Sequence, residues 1–372
     1  MANANNLKPV ISIVPRLPSA IDGVGDYALN LARQLKKDFD INTHFVVGDP
    51  TWTGNDRLEG FKITKVLARS PESLFNQLAE IYSETPILLH YVGYGYAKRG
   101  YPNWLVEGLT NWKHRHHQAK LVTMFHEIYA SGPIWTSAFW LSELQKRLVR
   151  QLLRLSDRVL TSKQLHAEVL QHIIDQQAAF EGDKRLPIPI LPVFSNVGEC
   201  KNVLPLNKRD RILVVFGKLD TRLRVYQNCQ NELLYTCERF GIRRIVDIGP
   251  ANGLKSFSTN SIPVEVLGSK SAFEVSKILS SAFAGFIDYP TDFLGKSGIF
   301  ASYCAHGSLP IVRGPHRLDA DGLIVGHHYW HLDFTNLGIN VLAAQQIATN
   351  AHTWYQAHSL AAHAGQFSVF LS

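Results

Sequence analysis

The sequence predicts an α/β protein made of two doubly wound, Rossmann-like domains that face a central cleft. Short apolar runs, typical of buried parallel strands, alternate with amphipathic helical patterns along the whole chain. The alternation is interrupted by a Pro-rich and polar stretch between residues 186 and 210, and then begins again. With 372 residues, the chain is also longer than one compact core usually accommodates.

Ten apolar runs are candidate strands, five in each half of the chain. They are Val10–Val14, His44–Val47, Ile87–Val92, Leu121–Phe125 and Arg158–Thr161, then Ile212–Phe216, Arg244–Ile248, Val264–Leu267, Ala284–Ile287 and Leu309–Val312. Apolar periodicity predicts helices over Tyr27–Lys37 and Ser137–Leu155. We therefore predict an N-terminal domain over 1–195, a linker over 196–210, a C-terminal domain over 211–345, and a final helical segment over 346–372.

Composition excludes several classes of protein. Apolar residues make up 45% and charged residues 19% of the chain, which are globular values. No apolar run approaches the roughly 20 residues of a membrane span, and the polar N-terminus lacks the apolar stretch of a signal peptide. We expect a cytoplasmic protein, and leave open peripheral contact with the inner membrane face.

The net charge of +7 suits an anionic ligand, a membrane surface or nucleic acid, and it also suits simple solubility. No nucleic-acid-binding signature accompanies the charge, so we expect no nucleic-acid partner. The four cysteines lack metal or redox spacing and the 16 histidines lack a zinc pattern, so we expect no metal site.

A glycine loop follows the first strand. Gly23 and Gly25 precede a helix expected to begin near Asp26, where backbone amides and a helix N-terminus favour anionic groups. Gly23 to Ala28 also matches the G-x-G-x-x-A dinucleotide fingerprint, with Asp49 at a plausible distance beyond. However, about eight residues separate the first strand from the glycines, which weakens that interpretation. An ordinary tight turn is the alternative.

The strand Leu121–Phe125 places His126 and Glu127 at its carboxyl end. These side chains suit hydrogen bonding to a sugar or proton transfer. The alternative is a strand-end histidine whose hydrogen bonds are structural.

The first strand of the second half ends at a cationic loop containing Gly217, Lys218, Arg222 and Arg224. Three cations at one strand end make a suitable diphosphate clamp. A solvated basic turn is the alternative.

A further loop, after the strand Ala284–Ile287, leads to Lys296 and Ser297 at the start of an apolar helix. A helix N-terminus with a lysine and a hydroxyl predicts an anion site, whereas the glycine spacing is wrong for a P-loop. The alternative is an ordinary N-cap with a solvated lysine.

In the order and spacing of these segments, the chain resembles the retaining nucleotide-sugar glycosyltransferases of the GT-B fold, family 4. The loop through Asp26 resembles the family's loop beside the transferred sugar and the acceptor. His126 resembles the histidine that contacts the donor sugar. Gly217 and Lys218, with Arg224, resemble the pair that grips the donor diphosphate.

Other segments extend this resemblance over essentially the whole chain. They are Leu153–Ser162, like the family's helix-to-strand step; Pro192–Val197, like its interdomain segment; Val266–Gly268, like the segment that contacts the base; and Trp354–Tyr355, like the helix that crosses back.

One departure from the family concerns its usual pair of glutamates. By alignment their places hold Leu294 and Ser302. The resemblance then implies that Asp292 or Lys296 substitutes, that the donor is unusual, or that the protein is inactive.

The resemblance implies a hexosyltransferase-type enzyme that uses a nucleotide-sugar donor and a glycan, lipid-linked or small-molecule acceptor, retains anomeric configuration and needs no cofactor or metal. We make no prediction of the oligomeric state. The predicted site residues are catalytic His126, Lys218 and Lys296; donor-binding Gly23, Gly25, Gly217, Arg222, Arg224, Gly268, Asp292, Gly295 and Ser297; and acceptor-side Asp26, Glu127 and Tyr94. A non-catalytic GT-B-like sugar-binding or partner protein and an NAD(P)-dependent oxidoreductase are the alternatives.

Overall fold

The computed structural model describes residues 9–18, 20, 22–80, 85–129, 137–181, 187–250, 262–316, 319–332 and 338–372. The chain divides into two compact units, one formed by Met1–Leu191 with Leu360–Ser372 and the other by Pro192–Ser359. The stretch predicted as a linker, 196–210, therefore belongs to the second unit. The predicted final helix, 346–372, is divided between the two units. Within the described ranges, no helix is long and apolar enough to cross a bilayer.

The first unit has a seven-stranded sheet with helices on both faces. Its strands are β1 (Val10–Val14), β2 (Thr43–Val47), β3 (Arg57–Leu58), β4 (Phe61–Lys65), β5 (Ile87–Tyr91), β6 (Leu121–Phe125) and β7 (Arg158–Thr161). Its helices are α1 (Gly23–Phe39), α2 (Pro71–Ala79), α3 (Gly93–Tyr96), α4 (Asn103–Arg115), α5 (Ser137–Leu155) and α6 (Gln164–Glu181), together with the last helix of the chain, Leu360–Leu371. The strand order is β3-β4-β2-β1-β5-β6-β7, and all pairs except β3–β4 are parallel.

Both faces of this sheet are covered, which explains its continuous apolar strands. In β1, Ile11 and Ile13 pack into the core that contains α4, whereas Val14 packs into a second core with Ala28 and Ala32 of α1. Consecutive strand residues point to opposite faces, so both faces require apolar side chains.

The second unit has a six-stranded parallel sheet. Its strands are β8 (Asp210–Phe216), β9 (Arg244–Ile248), β10 (Val264–Val266), β11 (Ala282–Asp288), β12 (Leu309–Arg313) and β13 (Trp330–His331), in the order β10-β9-β8-β11-β12-β13. Its helices are α7 (Leu219–Asn228), α8 (Gln230–Phe240), α9 (Ala272–Ser281), α10 (Gly298–Ala305) and α11 (Val341–Gln356), and the last helix of the chain is numbered α12. The predicted fold class of two doubly wound units is confirmed.

Each sheet reverses its strand order once. β1 lies between β2 and β5, and β8 lies between β9 and β11. The loops that follow the two strands at such a point run to opposite faces of the sheet, which leaves a crevice at the carboxyl edge where ligands bind.

Helix α1 begins earlier than the sequence predicts, at Gly23 rather than near Asp26. Asp22 is its N-cap, and the Oδ1 atom accepts hydrogen bonds from the amides of Val24, at 2.9 Å, and Gly25, at 3.1 Å. Gly25 is needed for packing, because a Cβ there lies only 2.2 Å from the carbonyl oxygen of Arg16. The glycines thus belong to the first helical turn rather than to a loop before it.

We predict that Gly25→Ala destabilises the first unit by about 1–3 kcal/mol, because the added methyl group overlaps a backbone carbonyl. Gly23→Ala is the matched control in the same helical turn. Its Cβ position has nothing within 4 Å, and removal of the glycine raises helix propensity. The midpoints of thermal unfolding should therefore fall only for Gly25→Ala, and equal midpoints for the two variants would contradict the packing argument.

Candidate functional site

Three loops meet at the carboxyl edge of the second sheet, where its strand order reverses. Gly217 follows β8 with φ of +127°, and a Cβ there lies 2.6 Å from Cδ1 of Ile299 in α10. Gly249 follows β9 with φ of +153°, and its Cβ position lies 2.3 Å from the carbonyl oxygen of Gly217. Both glycines have positive φ angles, which favour glycine. A side chain at Gly217 would meet Ile299 of α10, and one at Gly249 would meet the backbone of Gly217. The loop after β8 therefore lies against the Ile299 side chain at the start of α10, and the loop after β9 lies against the loop after β8.

The N-terminus of α10 presents backbone amides at this edge. Ser297, for which an ordinary N-cap was the alternative to an anion site, is the N-cap, and its Oγ atom accepts a hydrogen bond from the Phe300 amide at 3.2 Å. The amide of Ser297 itself donates to Leu294, so it is not available to a ligand. Among the described residues, the amides of Gly298 and Ile299 have no hydrogen-bond acceptor. These two donors and the helix dipole make a local site for negative charge.

Two lysines flank the contact between Gly217 and α10. Lys218 follows Gly217 directly as the N-cap of α7, is exposed, and forms no ion pair with any described residue. Lys296 ends the 3-10 turn Thr291–Lys296, three positions before Ile299, and is half-buried. A doubly charged phosphate group at the N-terminus of α10 would lie close to the backbone of both lysine-bearing loops.

Arg222 does not belong to this exposed cationic surface. The side chain is fully buried, pairs with Asp247, and donates to the carbonyl oxygens of Gly217, at 3.1 Å, and Pro250. The guanidinium group therefore links the loop after β8 to the loop after β9 from the interior of the unit. The predicted contact between Arg222 and the donor is wrong, because its hydrogen bonds are directed into the protein.

Arg224 is also separate from the predicted clamp. It lies two positions after Arg222 on α7, which rotates its side chain by about 200° around the helix. Arg222 faces the sheet, so Arg224 is exposed on the outer side of α7. Of the three predicted cations in this loop, Lys218 is the one suited to a ligand at the strand ends.

The acidic partner of Arg222 lies in β9 and is also fully buried. Tyr226 of α7 donates a second hydrogen bond to Asp247, at 2.9 Å. Burial raises the pKa of the Asp247 carboxyl group, while Arg222 and the Tyr226 hydroxyl oppose that rise. The sequence carried no clear signal for this network, because the burial of a charge depends on packing between separate elements.

The remaining predicted donor residues of the second unit have different surroundings. Gly295 is buried, with a Cβ position only 2.4 Å from Oδ2 of Asp321, which indicates a packing role. Gly268 has φ of +70°, and a Cβ built there would have no atom within 4 Å. Its carbonyl oxygen accepts a hydrogen bond from the Gly249 amide at 3.0 Å. Asp292 is half-buried in the 3-10 turn before α10.

The positions aligned with the family's glutamate pair are both buried. Leu294 is 1% exposed. The Ser302 hydroxyl donates to the carbonyl oxygen of Gly298 at 2.6 Å and lies 3.0 Å from Oγ of Ser195. Neither position supplies a carboxylate, so Asp292 is the acidic side chain of this turn.

The first unit has a cluster of aromatic and imidazole side chains around the end of its central strands. Nδ1 of His90 lies 3.1 Å from Nε2 of His126, and the Tyr27 hydroxyl lies 2.7 Å from Nδ1 of His363. The Tyr27 ring packs edge-on against all three imidazoles, with ring centroids 5.0–5.7 Å apart. All four side chains are buried, and burial lowers the pKa of His90 to about 3.

Sequence reasoning found one member of this cluster, His126, and missed the roles of His90 and His363. His90 interrupts the apolar run Ile87–Tyr91 one position before its end, and this pattern resembles the histidine after Leu121–Phe125. It was therefore detectable. His363 lies in an alanine-rich helix at the end of the chain, and only tertiary packing brings it to Tyr27.

The acceptor-side residues and the first glycines are distributed around this edge of the first unit. Glu127 is exposed directly after His126, and Tyr94 is 46% exposed in α3. Asp26 is half-buried in the first turns of α1. The Gly25 amide already donates a hydrogen bond to Asp22. It is therefore not available to the nucleotide sugar that Gly25 was predicted to bind.

Comparison with known proteins gives a result for the fold. No family model matches the chain, and no curated protein matches its sequence. Among solved structures, an alpha-glucosyltransferase in complex with UDP-glucose and DNA matches at TM-score 0.57 and 10% identity, over 98% of this chain and 99% of that one. TarM matches at TM-score 0.62 and 9% identity, over the full length of both chains.

The chain has the GT-B fold.

A putative UDP-N-acetylglucosamine 2-epimerase from Listeria monocytogenes also matches, at TM-score 0.54 and 13% identity, over 100% of this chain and 96% of that one. Proteins with different reactions therefore have similar folds. The likeness confirms the fold class expected from the resemblance, and the chemistry has to be argued from the site.

We predict that Arg222→Met destabilises the protein by about 3–5 kcal/mol, because Asp247 is left as an unpaired buried charge. Arg224→Met on the outer side of the same helix should change stability by less than about 0.5 kcal/mol. The double variant Arg222→Met with Asp247→Leu should recover most of the loss. Chemical unfolding of the wild type and the three variants checks the pattern. A stable Arg222→Met protein that has lost nucleotide affinity would show instead that Arg222 contacts the ligand.

Proposed function

We propose that this protein transfers a sugar from a nucleotide-diphosphate sugar to an acceptor hydroxyl, with retention of anomeric configuration. The observation that carries the proposal is the cluster of Gly217, Lys218 and the start of α10 at the strand-order reversal of the second sheet. Two amides and a lysine side chain that have no partner among the described residues, together with a helix N-terminus, suit a diphosphate. The alpha-glucosyltransferase with the same fold was determined with UDP-glucose, which supports a nucleotide sugar as the ligand.

In this proposal, the diphosphate is the leaving group. The C1–O bond of the donor sugar breaks and its electron pair passes to the β-phosphate oxygen. The acceptor oxygen forms a new bond to C1, and its proton passes to the departing phosphate. The amides of Gly298 and Ile299 and the ammonium group of Lys218 stabilise the charge that develops on the phosphate. Such preorganised donors commonly give the largest part of an enzyme's rate enhancement. Because lysine and amides supply this stabilisation, we expect EDTA to leave turnover unchanged.

The sugar-side groups in our proposal follow the family resemblance. His126 contacts the transferred sugar, and Glu127 and Tyr94 lie on the acceptor side. Asp292 replaces the absent family carboxylate as the acidic group nearest the donor sugar or ribose.

A second candidate function has one specific observation in its favour. Leu294 and Ser302 are buried where the family has glutamates, so the protein would bind a nucleotide sugar without turning it over. A single panel tests both candidates. Thermal shift with UDP-, GDP- and ADP-sugars and with NAD(P) reports binding, and release of free nucleotide in the presence of glycan and lipid acceptors reports turnover.

The two candidates predict different results in that panel. Transfer predicts stabilisation by one class of nucleotide sugar, nucleotide release, and a product whose anomeric configuration by NMR equals that of the donor. A non-catalytic protein predicts stabilisation without release. Stabilisation by NAD(P) alone would contradict both.

We predict that Lys218→Met lowers turnover by about 100-fold or more, equivalent to about 3 kcal/mol of transition-state stabilisation. Arg224→Met is the matched control, since it removes one exposed cation from α7, the helix that Lys218 caps, and its turnover should stay within about threefold of the parent. Initial-rate measurements at saturating donor check both variants. Equal losses in the two would show that only the overall charge of the surface matters.

A further inference from the structure

A buried histidine pair lies at the end of the central strands of the first unit. His90, in β5, is 0% exposed, and the neighbouring strand β6 leads into His126. Nδ1 of His90 lies 3.1 Å from Nε2 of His126, and the two rings stack with centroids 5.4 Å apart. One of these nitrogens must donate the hydrogen bond and the other must accept it. The direction of this bond decides which nitrogen of His126 carries its proton.

The other nitrogen of His90 determines the direction. Nε2 of His90 is buried and has no hydrogen-bond partner among the described residues. If His90 accepted from His126, its own proton would be on Nε2, as a buried N–H without an acceptor. If His90 donates from Nδ1, only a lone pair at Nε2 is left without a partner. Orphaned buried N–H groups are rarer than under-satisfied acceptors, so donation by His90 is favoured.

Among the described residues, no other group competes with His126 for the hydrogen bond of His90 Nδ1. Burial lowers the pKa of His90 to about 3, so the ring is neutral at physiological pH and carries one N–H. The Tyr27 ring covers His90 edge-on at 5.7 Å, while the Tyr27 hydroxyl is 2.7 Å from Nδ1 of His363. The one proton of His90 is therefore directed to His126.

We propose that His90 is a positioning residue that holds His126, the histidine we assign to the transferred sugar, in the tautomer protonated on Nδ1. The role of the sugar rests on the proposed function, whereas the tautomer does not. A histidine held in the wrong tautomer loses its catalytic contribution even when its position is unchanged.

Three substitutions of His90 separate its volume from its hydrogen bond. His90→Asn places an amide nitrogen near the position of Nδ1 and can still donate to His126. His90→Gln places the amide near Nε2, and His90→Phe keeps a ring but has no donor. His44→Asn is the matched control, because His44 is also a buried strand histidine of the first unit, with Nε2 3.2 Å from the Thr64 hydroxyl.

The first measurement is imidazole ¹⁵N NMR of the full chain labelled on histidine, with the His126 signals assigned from a His126→Gln spectrum. We expect His126 of the wild-type protein to be protonated on Nδ1. In His90→Phe and His90→Gln, the Nε2-protonated form should become the major one, while His90→Asn and His44→Asn should keep the wild-type pattern. A wild-type His126 protonated on Nε2, or a His126 tautomer unchanged in His90→Phe, overturns the proposal.

The second measurement is turnover with the donor found in the nucleotide-sugar panel. We expect His90→Phe and His90→Gln to lower kcat by about 10- to 100-fold, with donor Kd within about threefold, and His90→Asn to retain most activity. An equal loss in His90→Asn, with an intact tautomer, contradicts a positioning role. If the wild-type chain turns over no donor, the proposed function fails, but the wild-type spectrum still decides the tautomer, even where His90→Phe does not fold.

Discussion

The close approach of the Gly217 and Gly249 backbones is the constraint on which the candidate donor site depends. A side chain at Gly249 would meet the Gly217 carbonyl oxygen at 2.3 Å, and one at Gly217 would meet Ile299 at 2.6 Å. These contacts bring the loop after β9 against the loop after β8, and the loop after β8 against the start of α10. Because of that approach, Gly217 and Lys218 lie near the amides of Gly298 and Ile299, which have no acceptor among the described residues.

Charge in the second unit has two separate tasks. Arg222 is buried, and its ion pair with Asp247 and its bonds to the Gly217 and Pro250 carbonyl oxygens hold the two loops together. Lys218 is exposed beside them and has no partner among the described residues. A buried ion pair costs desolvation free energy to form, and breaking it leaves an uncompensated charge, so it suits a permanent structural role. An exposed lysine suits reversible ligand binding.

The fold was largely predictable, because buried parallel strands are continuous apolar runs and all ten predicted runs are strands. The missed β4 alternates apolar and polar residues, and the missed β13 is only two residues long. The site was less predictable. Spacing alone indicated that Arg222 and Lys218 belong together, and only packing separates the buried arginine from the exposed lysine.

The start of α10 shows the same limit in finer detail. The sequence predicted an anion site at the start of this helix, with an ordinary N-cap as the alternative. Ser297 is the N-cap, and the helix begins directly afterwards. Which amides have partners depends on the 3-10 turn before it, where the Ser297 amide bonds to Leu294. A sequence pattern therefore indicates a candidate anion site to within one turn, while the identity of the hydrogen-bond donors comes from the backbone.

The first unit differs in how its histidines are used. His126 was predicted from the end of its strand, but its neighbour His90 determines what that imidazole can offer, since a neutral histidine has a single N–H to place. His363 is joined to Tyr27 from the far end of the chain. Sequence distance conceals such pairings, although the apolar run that contains His90 gave a usable signal.

The most direct test of the central claim is a crystal structure of the full chain with a bound nucleoside diphosphate or nucleotide sugar. We predict that the diphosphate accepts hydrogen bonds from the amides of Gly298 and Ile299 and lies within reach of the Lys218 ammonium group. A diphosphate bound instead at the Gly23 end of α1, with Lys218 directed away from it, would contradict the account.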